Sequence, residues 1–417
     1  MANKKTNVLA IAIMFFLFFM IAFVTNLCSP MATVVKQQFG ASELMGQVGN
    51  YANFIAYLLM GIPAGMLISK FGYKKIALAA VVVGIVGIGL EFLSGQVESY
   101  GVYVLGAFIS GLCMCMLNTV VNPMLNILGG GGKKGNQLIQ IGGSFNSAGA
   151  VIVYILMGAL VGTVTEATGI SDVTPALLLA AVIFAVAFVV ILFTKIDEPE
   201  QAPVQLSLIG GALKHRHFVL GALAIFLYMA VEVGTPTYMV SYLQGPEVGI
   251  SMEVATLIAA VYWFMMFIGR TIGGAIGGKV SSRVMVSTVA TAACILIALG
   301  MFLPSTLTVK VPGIDWANLH ILWVEVPAGM AAFLLVGLCT SVMWGGIYNM
   351  AVEGLGKYTA AASGIFMTMV FGCAVMVAIQ AALYDKIGLY SYIVPLAAAA
   401  YILFYALVGS KPAKQTE

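Results

Sequence analysis

The sequence predicts an all-α integral membrane protein with twelve transmembrane helices in two pseudo-symmetric six-helix halves. Three observations predict it. First, 61% of the 417 residues are hydrophobic and only 8% are charged, with a mean hydropathy of +1.04. A soluble domain carries roughly 25% charged residues, so 19 Lys+Arg and 16 Asp+Glu are too few to clothe a water-facing surface of this size. Second, twelve mainly apolar runs each reach the roughly 20 residues that a bilayer-crossing helix needs. Third, the basic residues collect on alternate connections between those runs. This composition excludes a cytosolic enzyme, a nucleic-acid binder and a disordered chain.

The runs cover residues 7–35, 46–69, 75–94, 100–128, 136–163, 173–194, 216–243, 253–276, 281–303, 320–349, 357–384 and 388–409. The first opens like a signal peptide, with Lys4 and Lys5 before an apolar stretch. It is longer than such a stretch and lacks a small-residue cleavage site, so it reads as a span. With both termini in the cytoplasm, sixteen of the nineteen Lys and Arg residues lie on the inner side or near it. Lys36, Lys310 and Lys386 alone fall outside. That is a strong positive-inside asymmetry, and one missed helix would scramble it.

The polar connection 195–215 divides the chain into a six-helix bundle at 1–194, a cytoplasmic linker, and a second six-helix bundle at 216–417. The halves echo each other. "GLC" at 111–113 recurs at 337–339, and "FLFFMIAFVT" at 16–25 parallels "FLYMAVEVGT" at 226–235. Parallel repeats of this kind place a substrate site between the halves near the midplane. The six cysteines all lie in apolar runs without metal spacing and read as small packing residues.

A polar side chain in lipid is costly unless it faces a cavity or a partner, so the intramembrane polar residues are the informative ones. Glu232 lies about sixteen residues into its helix and reads as the one carboxylate placed so deep. It is a substrate acceptor or a protonatable group, or else a structural carboxylate bonded to a neighbouring helix. Asn118, Asn122 and Asn126 recur every four residues and so share a helix face. Their amides suit a polyhydroxyl ligand, and amides also glue helices together. Asn118 is the deepest; Asn122 precedes Pro123, which predicts a kink. Gln140 and Asn146 are candidates on the fifth span. Asn26 and Ser29 precede Pro30 and predict an interrupted first helix. Among the aromatic residues, Tyr228, Trp263 and Trp344 are the candidates for stacking on a ligand, with helix packing as the alternative. Arg270 reads as a gating residue, with Glu353 its nearest candidate partner, or as a side chain snorkelling to the inner interface.

The absences also inform. "LGGGGKKGN" lacks the GxxxxGK[ST] spacing of a phosphate-binding loop, so ATP drives nothing through it. The three histidines lie at helix ends, which predicts neither metal nor cofactor. With no cation assigned to mid-depth, the expected substrate is neutral and hydroxyl-rich.

Several stretches, in order, carry a family resemblance: "NP" at 122–123, "LG" at 128–129, "SFNSAGA" at 144–150, "LYMAVEV" at 227–233, "GRTIGG" at 269–274, "EGLGKYTAAASG" at 353–364 and "LYDKIGLYSYIVP" at 383–395. The chain resembles the fucose/glucose–galactose/hexose permease branch of the major facilitator superfamily over nearly its whole length. The resemblance implies that fold, alternating access, and sugar uptake, usually with protons, at a bacterial inner membrane. Asn146 matches a sugar-contacting Asn of the family, and Glu232 matches its helix 7 Glu. Three positions depart from the pattern: Ser29 and Asn118 stand where proton-coupled members have carboxylates, and Gly143 stands where they have Gln. The basic "SKFGYKK" loop at 69–75 resembles the family's helix 2–3 motif without its Asp.

The expectation is therefore a non-enzymatic, proton-coupled carrier of a neutral monosaccharide, monomeric, with lipid, sugar and protons as its only partners. An uncoupled facilitator or a carrier of another polar metabolite, such as an amino sugar, is the second reading. A membrane sensor that binds without translocating is the third.

Overall fold

The computed structural model describes residues 4–411 apart from 41–44, 46–47, 161–168, 195, 197, 199–205, 251 and 316–319. The described chain is overwhelmingly helical. In order, α1 spans Lys4–Gln38, α2 Val48–Phe71, α3 Tyr73–Gln96, α4 Tyr100–Leu128, α5 Gly132–Leu160 and α6 Thr174–Phe193. A short α7 (Leu206–Leu213) lies within the connection after α6. Then come α8 (Arg216–Met229), a π-helical turn (Ala230–Gly234), α9 (Thr235–Gln244), α10 (Met252–Gly277) and α11 (Ser282–Phe302). A β-hairpin of β1 (Thr308–Asp315) and β2 (His320–Pro327) is followed by α12 (Ala328–Thr340), α13 (Met343–Ala351), α14 (Thr359–Thr368), α15 (Gly372–Ile387) and α16 (Ile393–Phe404).

Among the described residues, ten segments are long and apolar enough to cross a membrane. The last, Gly356–Gly409, has 54 residues. At 1.5 Å per residue it is too long for one crossing of a roughly 30 Å core. Gly388 interrupts it with a φ of 54°, so it supplies two crossings. With α5 added, the twelve expected runs are accounted for. Their outward faces are apolar as well: on α6, Leu178, Val182, Val186 and Val189 are all exposed, as lipid-facing residues must be.

Two expectations about local structure are overturned. The tenth span does not begin at 320. Residues 320–327 form β2, paired antiparallel with β1 in a register that sets Val311 against Val324 and Lys310 against Glu325. β2 alternates exposed and partly buried residues, with Ile321, Trp323 and Glu325 outward, which is the period of a strand. Its apolar content had merged with the helix that follows. The first span is also not interrupted. α1 runs unbroken past Thr25, Asn26 and Pro30 to Gln38, and the Asn26 amide donates back to the Ala22 carbonyl at 2.8 Å. The Ser29 side chain lies outside the described residues.

The chain divides into two compact units. The first comprises residues 1–128, 148–210 and 356–371. In it, α3 and α4 meet through small residues: the face of Gly106 lies against Glu91, and that of Gly87 against Ser110. Glu91 is buried and accepts from the Ser110 hydroxyl at 2.9 Å. Glu232 is thus not the only buried carboxyl; a lone Glu in the apolar run "GIGLEFLSG" was the available signal. At the other end of α3, Gly72 adopts a φ of 86° that favours glycine. It admits Glu198, whose carboxylate accepts from the Tyr73 and Lys74 amides at 2.6 and 3.1 Å. A carboxylate there meets the positive end of the helix dipole. The Lys74 ammonium in turn donates to the Leu192 and Thr194 carbonyls at 3.0 and 2.7 Å, at the end of α6. Glu198, outside the 69–75 loop, thus caps the start of α3. Glu198→Ala is expected to destabilise the protein by about 1 kcal/mol, the usual worth of a helix cap, read as a lower melting temperature in detergent. Unchanged melting would remove Glu198 from the cap.

The second unit comprises residues 129–147, 211–355 and 372–417. It includes the first half of α5, which is fastened to α10 and to the turn between α12 and α13. Gln137 donates to the Gly274 carbonyl at 3.1 Å, and Lys133 to that of Lys279 at 2.9 Å.

Candidate functional site

The site is built around Glu232 and Arg270, both in the second unit. Glu232 sits in the π-helical turn between α8 and α9. The local cause is Pro236. It has no N–H to donate to the Glu232 carbonyl four residues back, and its ring crowds that carbonyl. The helix widens by one residue, as helices often do at functional positions. The Val231 carbonyl is met by the Tyr262 hydroxyl from α10 at 3.0 Å.

Arg270 lies further along α10, its side chain 8% exposed. One guanidinium nitrogen donates to three oxygens of α5: the Gly143 carbonyl at 3.1 Å, Asn146 Oδ1 at 3.1 Å and Ser147 Oγ at 2.8 Å. The other reaches Glu232 Oε1 at 3.5 Å. A tight charge-assisted bond is about 2.8 Å, so the cation is fixed mainly by α5 and the carboxylate is held loosely. The pairing with Glu353 expected from sequence is not formed. Glu353 pairs with Arg283 at 2.7 Å, and Arg270 turns toward Glu232 instead. A cation is therefore present beside the deep carboxylate after all. The depth of the Arg270 backbone had hidden it, because its long stem carries the charge well away from its own Cα.

Gly143 makes this possible. A Cβ there would stand 3.1 Å from Arg270 Cδ. The position where the resemblance implies Gln is thus where the arginine stem passes. Gly143→Gln is expected to expel the guanidinium and lower the melting temperature in detergent, as a lost buried charged hydrogen bond of about 1.5–3 kcal/mol would. Wild-type melting of that variant would refute the placement.

Two tyrosines adjoin the turn that carries Glu232, Tyr228 one helical turn before it and Tyr262 bonded to the Val231 carbonyl, and each packs against a tryptophan. Tyr228 is fully buried and donates to the Thr340 carbonyl at 3.3 Å. Its ring is 6.1 Å from that of Trp344. Tyr262 also meets the Thr340 hydroxyl at 3.3 Å and packs edge-on against Trp263 at 5.5 Å. The candidates Glu232, Arg270, Asn146, Tyr228, Trp263 and Trp344 therefore belong to one unit. Gln140 belongs to it too, but its amide nitrogen is engaged by the Val342 carbonyl at 3.1 Å and Asn136 at 3.4 Å, bracing α5 against the α12–α13 turn. Asn118, Asn122 and Asn26 lie in the first unit. There Asn118 donates to the Tyr57 hydroxyl at 2.9 Å, and Asn122 donates to the Asn118 carbonyl at 3.0 Å. Sequence reading did not select Ser147, Tyr262 or Thr340. Ser147 adjoins Asn146 and Tyr262 adjoins Trp263, but nothing in the sequence said that one cation would gather them.

A family model described as the Major Facilitator Superfamily matches residues 14–379. The chain belongs to the major facilitator superfamily. Its facilitator fold is seen again in the solved fucose:proton symporter of E. coli, with a TM-score of 0.80 at 18% identity, covering 96% of this chain and 98% of that one. Among curated relatives, the chain is 29% identical over 419 residues to a glucose/galactose transporter of Brucella abortus (strain 9-941), covering 98% of this chain and 96% of the relative. It is 21% identical to the L-fucose-proton symporter of Escherichia coli K12, covering 93% and 89%. This facilitator is thus a multi-pass membrane transporter.

Proposed function

We propose that the protein carries a neutral monosaccharide across the bacterial inner membrane by alternating access, coupled to proton entry. It works as a monomer with both termini in the cytoplasm. One observation supports the reading above others: a buried cation and carboxylate, held beside Asn146, with Tyr262 bonded to the same turn and aromatic pairs Tyr228–Trp344 and Tyr262–Trp263 in the same unit. The pair sums to no net charge, which suits a neutral solute. The amide and hydroxyls offer partners to sugar hydroxyls, and aromatic faces suit the apolar faces of sugars. The relatives named for glucose, galactose and fucose support the substrate class.

In this reading Glu232 takes the proton. Protonation removes the charge that Arg270 faces, and its loose 3.5 Å contact is the one most easily given up. Arg270 also ties α5, from the first six-helix half, to α10, from the second. Releasing that tie is the gating step, so the arginine reads both the proton and the position of the halves. The absence of carboxylates at Ser29 and Asn118 favours a second reading, an uncoupled facilitator.

Counterflow of glucose, galactose and fucose in proteoliposomes, with and without an imposed pH gradient, tests both. Gradient-driven accumulation of one sugar is expected. Counterflow that is indifferent to the gradient would select the facilitator. Counterflow of none of the three would sink the substrate class.

A further inference from the structure

Behind the π-helical turn lies a set of polar groups that the site above does not use. Gln380 on α15 is fully buried, and neither end of its amide has a hydrogen-bond partner among the described residues. A glutamine amide offers two donors and an acceptor with two lone pairs. Buried polar groups are otherwise nearly always satisfied, and one that is not calls for a specific explanation. The amide oxygen is turned onto the face of Gly234, the last residue of the turn, where any Cβ would collide with it. Thr235, the next residue, is also fully buried, and its hydroxyl is unpartnered among the described residues. A helical threonine commonly bonds the carbonyl four residues back. Here that carbonyl, of Val231, accepts from Tyr262.

The surrounding walls are fixed. Tyr238 donates to the Val377 carbonyl at 3.0 Å, one turn before Gln380 on α15. Tyr392 donates to the Thr235 carbonyl at 2.6 Å and stacks on Phe333 at 3.9 Å. Tyrosines thus bond the carbonyls of Val231, Thr235 and Val377, and Gly234 contributes no side chain.

We propose that Gln380 and Thr235 form a binding site for a small hydroxyl group behind the π-helical turn. The amide would donate to that group's oxygen, and the amide oxygen would accept its proton. Buried water of this kind makes about three hydrogen bonds to otherwise unsatisfied groups. A hydroxyl of the transported solute has the same chemistry. Occupancy pins the turn two residues from Glu232, which makes Gln380 a positioning residue for the carboxylate. The inference concerns the hydroxyl site alone and stands whichever solute the protein carries.

Hydroxyl-radical labelling of the reconstituted protein in ¹⁸O-water tests it, because a bound water labels the side chains beside it. Label on Thr235 and Val377 is expected in the absence of sugar, and Gln380→Leu, which adds no sulfur to oxidise, should erase it. Label that persists under saturating D-galactose assigns the site to water; label that disappears assigns it to a solute hydroxyl. Gln380→Leu and the isosteric Thr235→Val should each melt below wild type, and Thr235→Val should shift the pH profile of uptake. An amide with no ligand predicts the opposite, because removing an unsatisfied polar group stabilises. No label in the wild type, or variants melting at or above it, would overturn the proposal.

Discussion

Glu232→Gln is expected to abolish gradient-driven sugar accumulation while leaving counterflow within about twofold of wild type. Glutamine keeps the shape of the side chain and its oxygen toward Arg270, 3.5 Å away in the native pair. It cannot take up and release a proton. For one proton per sugar, a gradient of one pH unit supplies about 1.4 kcal/mol, or roughly tenfold accumulation at equilibrium. The variant should bring that ratio to about one. The protein should still fold, because Arg270 keeps its three acceptors on α5. The measurement is radiolabelled sugar uptake into proteoliposomes, with an imposed gradient and in exchange mode. Loss of both activities would make Glu232 a substrate ligand rather than the coupling group. Wild-type accumulation would place the proton elsewhere. Glu91 is then the next group to test, since it is buried against Ser110 with no ion pair among the described residues.

Some of this was legible in the sequence for physical reasons, and some could not be. The helices were legible because lipid demands long apolar runs with satisfied backbones. The hairpin 308–327 was not, because a strand with one apolar face and an apolar helix start share composition and differ only in period. The continuity of α1 was misread because a proline in a membrane helix need not end it when neighbouring groups meet the carbonyls it leaves. Glu232 and Asn146 could be picked out as candidates, since polar groups in apolar runs are rare enough to stand out. Their partner could not. Sequence places the Cα of Arg270, and the chemistry depends on where its guanidinium ends. That is set by the empty face of Gly143 on α5 and by Ser147 beyond it. Gln380 was equally invisible, because a single amide on an apolar helix shows its lack of partners only after the neighbouring tyrosines have been placed.

Arg270→Met is expected to be the most damaging single substitution at the site, and its rescue is the more telling result. Removing the guanidinium leaves Glu232 without the cation it faces, and strands acceptors at Asn146 and Ser147. Breaking one side of a buried pair costs about 3–5 kcal/mol, because the remaining charge is uncompensated. Melting in detergent should fall accordingly, and transport should be lost. Replacing both charges at once is much less costly, since a neutral pair of similar volume needs no compensation. The double variant Arg270→Met with Glu232→Gln should therefore melt well above Arg270→Met alone while remaining inactive. Arg270→Lys is a finer probe. An ammonium is a compact point charge without the planar fork, so it cannot hold Gly143, Asn146, Ser147 and Glu232 together. It should melt within about 1 kcal/mol of wild type, the usual worth of one hydrogen bond, and transport far more slowly. A double variant no more stable than Arg270→Met would show that the two side chains are not energetically coupled. The 3.5 Å approach would then be proximity alone, and the proton could not act on α5 through the arginine.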